Sequence, residues 1–288
     1  MFPAEFQYHR ATSTEQALTL LEQLGEDAKF IAGGQSLLPM MKIRLAQPSH
    51  LIDIGAIADL SYIRQSAGTI AIGACTPHAD VASSPQIAQG LPMLVECAGE
   101  IGDVQIRNRG TLGGSLAHAD PAADYPAAML ALEAEISARS RHGTRTIKAQ
   151  DFFLDLMTTA LAPNELLSEV RVNLPPPHTG MTYLKFRHPA SGFATVGVAA
   201  LITLDDKGEC AAVRVGITGL AAKAFRAAAV ENALTNRPLD PQVIEQAAAH
   251  ADDAIDPLSD LNASADFRRH LARVLTRRAL TQALARAR

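Results

Sequence analysis

The sequence predicts an α+β fold: a two-part α/β region followed by a three-stranded antiparallel sheet with a helical bundle. Three observations predict it. Short strand and helix patterns alternate through the first fifty or so residues. The run Pro175-Pro176-Pro177 interrupts the chain late, as a domain join does. Beyond it come three long strand-like runs and then three Ala/Leu-rich helical stretches. The expected units are 1–54, a small β-α-β subdomain; 55–177, a larger α/β middle domain; and 178–288, the sheet with helices.

Taken in order, Thr14 to Leu24 carries Ala17, Leu20, Leu21 and Leu24 at helical spacing, with Ser13 or Thr14 as cap and Gly25 at the C′ position. Lys29 to Ala32 reads as a strand, Leu37 to Leu45 as a short helix, and Leu51 to Ile54 as a second strand. In the middle region Thr69 to Ala74 alternates as a strand, and Pro85 to Ala98 is largely helical. Asp120-Pro121 makes an N-cap/N1 pair for an apolar helix reaching Leu132. Further strands are expected at 135–138, 145–148 and 166–173. After the prolines, 183–187, 193–204 and 212–217 read as the antiparallel strands, and 223–234, 241–252 and 264–287 as the helices. The last helix holds six arginines, read as a solvated face or a docking surface.

The chain has 288 residues, 48% hydrophobic and 19% charged, with a net charge of −4. No basic stripe marks a nucleic-acid partner. The start, Met1 to Phe6, has no apolar signal core, and no stretch reaches the ~20 uncharged apolar residues that span a bilayer. The expectation is a cytoplasmic protein without a transmembrane segment. Cys75, Cys97 and Cys210 are too scattered for a zinc or iron–sulfur site and are expected as buried small residues. His118 and Asp120 have H-x-D spacing but no third ligand nearby, so capping and loop packing are expected, and no metal.

Two stretches organise the rest: Ala32-Gly33-Gly34-Gln35-Ser36-Leu37 and Arg109-Gly110-Thr111-Leu112-Gly113-Gly114-Ser115. Gly-Gly permits positive φ and close approach, so successive N–H groups can converge on phosphate oxygens. Two such loops, about eighty residues apart, suit one diphosphate held from both sides. There is neither a G-x-G-x-x-G fingerprint nor a G-K-[ST] phosphate loop.

The run from Ala32 to Leu45 (AGGQSLLPMMKIRL) and the run from Gln105 to Gly114 (QIRNRGTLGG) together resemble the FAD-binding medium subunits of molybdenum hydroxylases, of the carbon monoxide dehydrogenase type. The xanthine dehydrogenase family belongs to the same group, and the resemblance covers essentially the whole chain. It implies that both loops cradle the FAD diphosphate, through Ala32, Gly33, Gly34, Gln35, Ser36 and Leu37 and through Thr111, Leu112, Gly113, Gly114 and Ser115. It implies that Asp124 contacts the nucleotide part and that Leu167 lines the cofactor site. Lys185 matches a flavin-contacting lysine, and Phe193 stands where relatives place Tyr or Trp against the isoalloxazine. Gln35 replaces a histidine of the carbon monoxide dehydrogenases, which argues against carbon monoxide as substrate.

The resemblance further implies no catalytic residue on this chain, a large molybdenum-cofactor subunit, a small subunit with two iron–sulfur clusters, and a dimer of heterotrimers. Electrons reach FAD from those clusters and leave for an external acceptor. The residues leave two other classes open: a self-contained flavoenzyme of the same superfamily, using Arg187, His188 and Ser191, and a scaffold that has lost its cofactor. Substitution of Gly33 or Gly113 by valine is expected to abolish FAD retention by filling space that the diphosphate needs.

Overall fold

A computed structural model describes residues 2–288. The N-terminal part runs β1 (Gln7–Arg10), α1 (Thr14–Leu24), β2 (Ala28–Ile31), α2 (Leu37–Lys42) and β3 (His50–Asp53). Its sheet is parallel, in the order β1-β3-β2. Helix α1 starts where the Ser13 side chain accepts the Gln16 N–H and ends at Gly25, whose φ of 66° follows the last turn. It buries Ala17, Leu18 and Leu21 against Ile52 and Ile54. β1 is absent from the sequence reading because its residues are mostly exposed and polar, so no apolar alternation marks it.

The middle part begins with the hairpin β4 (Ile63–Ser66) and β5 (Thr69–Gly73). Then come α3 (His78–Ser83), α4 (Pro85–Gly90), α5 (Pro92–Gly99), α6 (Val104–Arg107), α7 (Leu112–His118) and α8 (Tyr125–Ala131). β6 (Glu135–Ser140), β7 (Gly143–Lys148), α9 (Ala149–Phe152), β8 (Phe153–Asp155), β9 (Thr158–Thr159) and β10 (Leu166–Asn173) complete it. Five strands form an antiparallel sheet in the order β4-β5-β10-β6-β7.

Two expectations are corrected here. The helix expected from Pro85 to Ala98 is two helices, because Leu91 leaves helical geometry ahead of Pro92. The apolar helix starts at Tyr125 rather than Pro121. Asp120 instead accepts the Ala122 N–H at 2.8 Å, a local turn that delays the helix by four residues.

The C-terminal part carries β11 (Thr179–Arg187), β12 (Ala194–Leu204), β13 (Cys210–Thr218) and the two-residue β14 (Phe225–Arg226). The three long strands are antiparallel, and β14 adds a short fourth at the edge. Pairing of β14 with β13 holds back the next helix, so α10 spans Ala228–Leu234, followed by α11 (Pro241–Ala248) and α12 (Ala265–Ala287). Alternation along β12 sends Val198 and Ala200 toward α12, while Ala199 joins Tyr125 and Ala128 in the middle core. The sheet is therefore a shared wall between two cores.

The arginines of α12 are not simply a solvated face. Arg268 is buried and donates to the Thr195 and Gly219 carbonyls, both at 2.6 Å, and to Asp260. Arg273 and Arg269 clasp the buried Asp252, and Arg286 pairs with Glu96. These four arginines tie the long helix to its surroundings.

Candidate functional site

A cleft of about 910 Å3 opens between the carboxyl end of β2, the α7 region and the β11–β12 turn. That is the upper end of the ~300–1,000 Å3 usual for small-molecule sites and suits a dinucleotide. In open sheets of parallel strands, ligands bind in the crevice outside the carboxyl ends of the strands.

The first glycine loop leaves β2 and forms one wall. Ala32, Gly33, Gly34, Gln35, Ser36 and Leu37 all line the cleft. None of the five consecutive amides from Gly33 to Leu37 has a hydrogen-bond acceptor among the described residues. Gly34, at φ 72°, supplies the left-handed step that lets neighbouring N–H groups turn to one side. Ser36 ends the loop, and its hydroxyl has no partner among the described residues.

The second loop is built differently. The N–H groups of Leu112 and Gly113 go to the Thr76 and Ala74 carbonyls at 3.0 and 2.8 Å. Those of Gly114 and Ser115 go to the hydroxyl and the carbonyl of Thr111, the N-cap of α7. Thr111, Gly113, Gly114 and Ser115 line the cleft, whereas Leu112 is fully buried in the middle core and does not.

The glycines serve close packing within the protein. A Cβ on Gly33 would stand 1.9 Å from the Arg109 carbonyl oxygen, and one on Gly113 would stand 2.5 Å from the Ala74 Cβ. The two loops touch each other directly at Gly33 and Arg109. A larger residue at either glycine therefore clashes within the protein itself, with the Arg109 backbone or with Ala74, before any ligand is considered.

Asp124 borders the cleft but is 4% exposed. Burial raises its carboxyl to about 6, against the opposing pull of Lys185 and of the Tyr183 hydroxyl, which donates at 2.5 Å. Lys185 does not line the cleft and is not a surface lysine. Its ammonium is buried and donates to both Asp124 oxygens at 2.9 and 3.0 Å and to the Glu100 and Gly192 carbonyls at 2.7 and 2.8 Å. Phe193 does line the cleft, on the turn after β11, and the residue is 44% exposed. Leu167 reaches the cleft at a bulge in β10.

Several cleft residues carry no sequence signal. His78 sits beneath Gly110, with its Nδ1 buried and without a partner among the described residues. Burial, assisted by Arg107, pushes its imidazole down to about 4, so it is neutral at physiological pH. The span from Met157 to Leu166 also lines the cleft, yet it shows no long alternation. His118 faces the cleft with its imidazole lowered by burial, and Asp120 is occupied in its turn. Among the described residues no group of three metal-ligating side chains gathers. All three cysteines are buried, and burial raises each thiol, so none is a ready nucleophile. Of the substrate-site candidates, Arg187 is committed to the Gly102 carbonyl at 2.6 Å, and His188 to the Ser191 hydroxyl at 3.0 Å.

Comparison with known proteins matches residues 4–176 to the model of the FAD binding domain in molybdopterin dehydrogenase. Residues 181–283 match the CO dehydrogenase flavoprotein C-terminal domain. The chain is 42% identical over 288 residues to the 6-hydroxypseudooxynicotine dehydrogenase complex subunit alpha of Paenarthrobacter nicotinovorans, covering 100% of this chain and 97% of that one. It is 40% identical to the carbon monoxide dehydrogenase medium chain of Hydrogenophaga pseudoflava, over 99% of both. Among solved structures, a carbon monoxide dehydrogenase from H. pseudoflava superposes with a TM-score of 0.96 at 42% identity, over 99% of each chain. Quinoline 2-oxidoreductase from Pseudomonas putida 86 gives 0.93 at 33% identity, over 100% of this chain and 99% of that one. The chain belongs to the family of FAD-binding flavoprotein subunits of molybdopterin dehydrogenases.

Proposed function

We propose that this chain binds FAD in the cleft and serves as the electron-transfer subunit of a multi-subunit molybdenum hydroxylase. The observation that carries the reading is the run of five unpartnered amides at the end of β2. Four of the five residues are half-buried and Gln35 is exposed; N–H groups shielded from water without acceptors are costly, and diphosphate oxygens satisfy them. The Ser36 and Ser115 hydroxyls add two further donors, one from each loop. The Thr111 hydroxyl, already accepting from Gly114, keeps its proton for a third.

Bound FAD supplies reversible two-electron storage that is filled or emptied one electron at a time. The chain's own part is to bind, orient and shield. Phe193, Leu167 and Ile101 give apolar contact, and Asp124, held by Lys185 and Tyr183, presents a fixed carboxylate edge for the nucleotide part. No side chain of the cleft is needed to take part in substrate oxidation.

The relatives named as a complex subunit and as medium chains support partners for this chain. We infer a large subunit with the molybdenum cofactor and a small one with two iron–sulfur clusters, assembled as a dimer of heterotrimers in the cytoplasm. An external acceptor discharges the flavin. Among the described residues no helix is long and apolar enough to cross a membrane. Co-expression with its genomic neighbours, followed by an absorption spectrum and metal analysis, tests the reading. Flavin, iron and molybdenum in fixed ratio on one large complex is the expected result. Flavin on an isolated chain that turns over a substrate by itself would overturn it in favour of a self-contained flavoenzyme.

A further inference from the structure

We propose that Lys185 is a positioning residue that sets the place of Phe193 in the cleft by cross-linking two of the cleft's walls. The inference rests on the reading of the cleft as the FAD site.

Lysine ammonium groups have three protons and are normally solvated. That of Lys185 is enclosed, with its side chain only 1% exposed, and every neighbour it meets is an acceptor. The Glu100 carbonyl belongs to the segment whose next residues, Ile101 and Gly102, line the cleft. The Gly192 carbonyl belongs to the turn carrying Phe193. Asp124, just before α8, supplies the counter-charge. One cation thus joins the wall after α5, the entry to α8 and the β11–β12 turn.

The rest of the turn is consistent with a clamp at that point. The His188 N–H donates to the Phe193 carbonyl at 2.8 Å, and the Gly192 N–H to the His188 carbonyl at 2.9 Å, so the turn is internally closed. Its attachment to the middle part comes from Lys185, from Arg187 to the Gly102 carbonyl, and from the Ala194 N–H to the Ala122 carbonyl. Phe193 has no deep packing of its own, at 44% exposure. Its position relative to a ligand is therefore inherited from the backbone that Lys185 holds. An aromatic ring fixed in advance loses less freedom on binding than one on a loose turn.

The test uses the full-length chain reconstituted with FAD. Lys185→Met alone would leave the Asp124 charge buried and unpaired, which endangers folding, so the lysine is removed in an Asp124→Asn background and compared with Asp124→Asn alone, where the amide oxygen and the Glu100 and Gly192 carbonyls still accept from the ammonium; melting curves of both proteins establish first that each is folded. Any direct contact of Asp124 with the cofactor is then lost equally from both proteins. Lys185→Met in that background is expected to speed FAD dissociation by about tenfold. The same change made with Phe193→Ala is expected to have less than about a twofold effect, since the lysine acts through that ring. The reduction potential of the FAD that remains bound is expected not to move. An undiminished Lys185 effect in the Phe193→Ala protein, no effect in either background, or a shifted potential would each overturn the proposal; the last would put the ammonium on the cofactor itself. Failure of the unsubstituted protein to bind FAD would instead overturn the assignment of the cleft.

Discussion

The two glycine loops share almost the same letters, Gly33-Gly34 with Ser36 and Gly113-Gly114 with Ser115, but they spend their backbones differently. From Gly33 to Leu37 the amides have no acceptor among the described residues. From Leu112 to Ser115 every amide is already bonded to Thr76, Ala74 or Thr111. One loop keeps its amides free for a ligand and the other has committed its own within the protein, and the two join where Gly33 meets the Arg109 carbonyl. Two halves that look equal in sequence thus differ in what they still offer a ligand: backbone amides from the first, side-chain hydroxyls alone from the second. The difference predicts that damage to the second loop registers in the apoprotein, whereas damage to the face of the first registers only when FAD is offered.

The joint between the loops is the place to break that division. Gly33→Ala forces its Cβ against backbone that cannot rotate away, and we expect a loss of about 3 kcal/mol. The apoprotein melting temperature should fall by roughly 6–12 °C, and flavin should be absent. Were the glycine there only to leave room for diphosphate, the apoprotein would melt normally. His78 tests the second loop by pH. Its imidazole is held at about 4 by burial, below its ordinary 6.5. Between these values the unfolded chain binds a proton that the folded chain refuses, so stability falls as pH drops from 6.5 toward 4 and is complete above 6.5. The full difference is of order 3 kcal/mol. Chemical denaturation of the apoprotein at a series of pH values measures it, and His78→Gln should flatten the profile in that window. Next in size, Gly113→Ala presses α7 away from Ala74 at about 1–3 kcal/mol, again visible without cofactor. Thr111→Ala removes the α7 cap and costs about 1 kcal/mol.

How far this division could be read in advance depends on what each residue's role leaves in the chain. The α+β organisation was legible because α1 and the end of α12 bury one apolar face, which imposes a period, while β12, with a core on each side, is one continuous apolar run. Pro175 to Pro177 stand between β10 and β11, where the missing N–H donors keep either strand from continuing. The glycine loops were legible as a pair, and Ala32 to Leu37 do come to one wall. What was not legible was direction: whether a glycine's missing Cβ makes room for a ligand or for the Arg109 carbonyl is decided by a segment some seventy-five residues away. For the same reason Leu112, read with its loop, turns into the core. Lys185, expected at the flavin, turns to Asp124 and Gly192. His78 was missed because a lone imidazole between Pro77 and Ala79 has no spacing to distinguish it. Strand β1 was missed because an exposed edge strand needs no apolar alternation.

Ser36→Ala is the smallest perturbation and sharpens the comparison most. Ser36 lines the cleft and its hydroxyl has no partner among the described residues, so its removal takes no hydrogen bond from the folded apoprotein. Surface changes of this kind stay within about 0.5 kcal/mol, and the melting temperature of the apoprotein should not move measurably. A hydroxyl that donates to a phosphate oxygen contributes about 0.5–1.5 kcal/mol, so FAD affinity should weaken roughly two- to tenfold. Fluorescence titration of FAD into the two apoproteins measures this directly. Thr111→Ala, carried through the same titration, should lose apoprotein stability as well as affinity, because the hydroxyl there also caps α7. If the two substitutions instead gave the same pattern, with both apoproteins equally stable, the two loops would be equivalent after all. The separation of ligand surface from scaffold would then have to be given up.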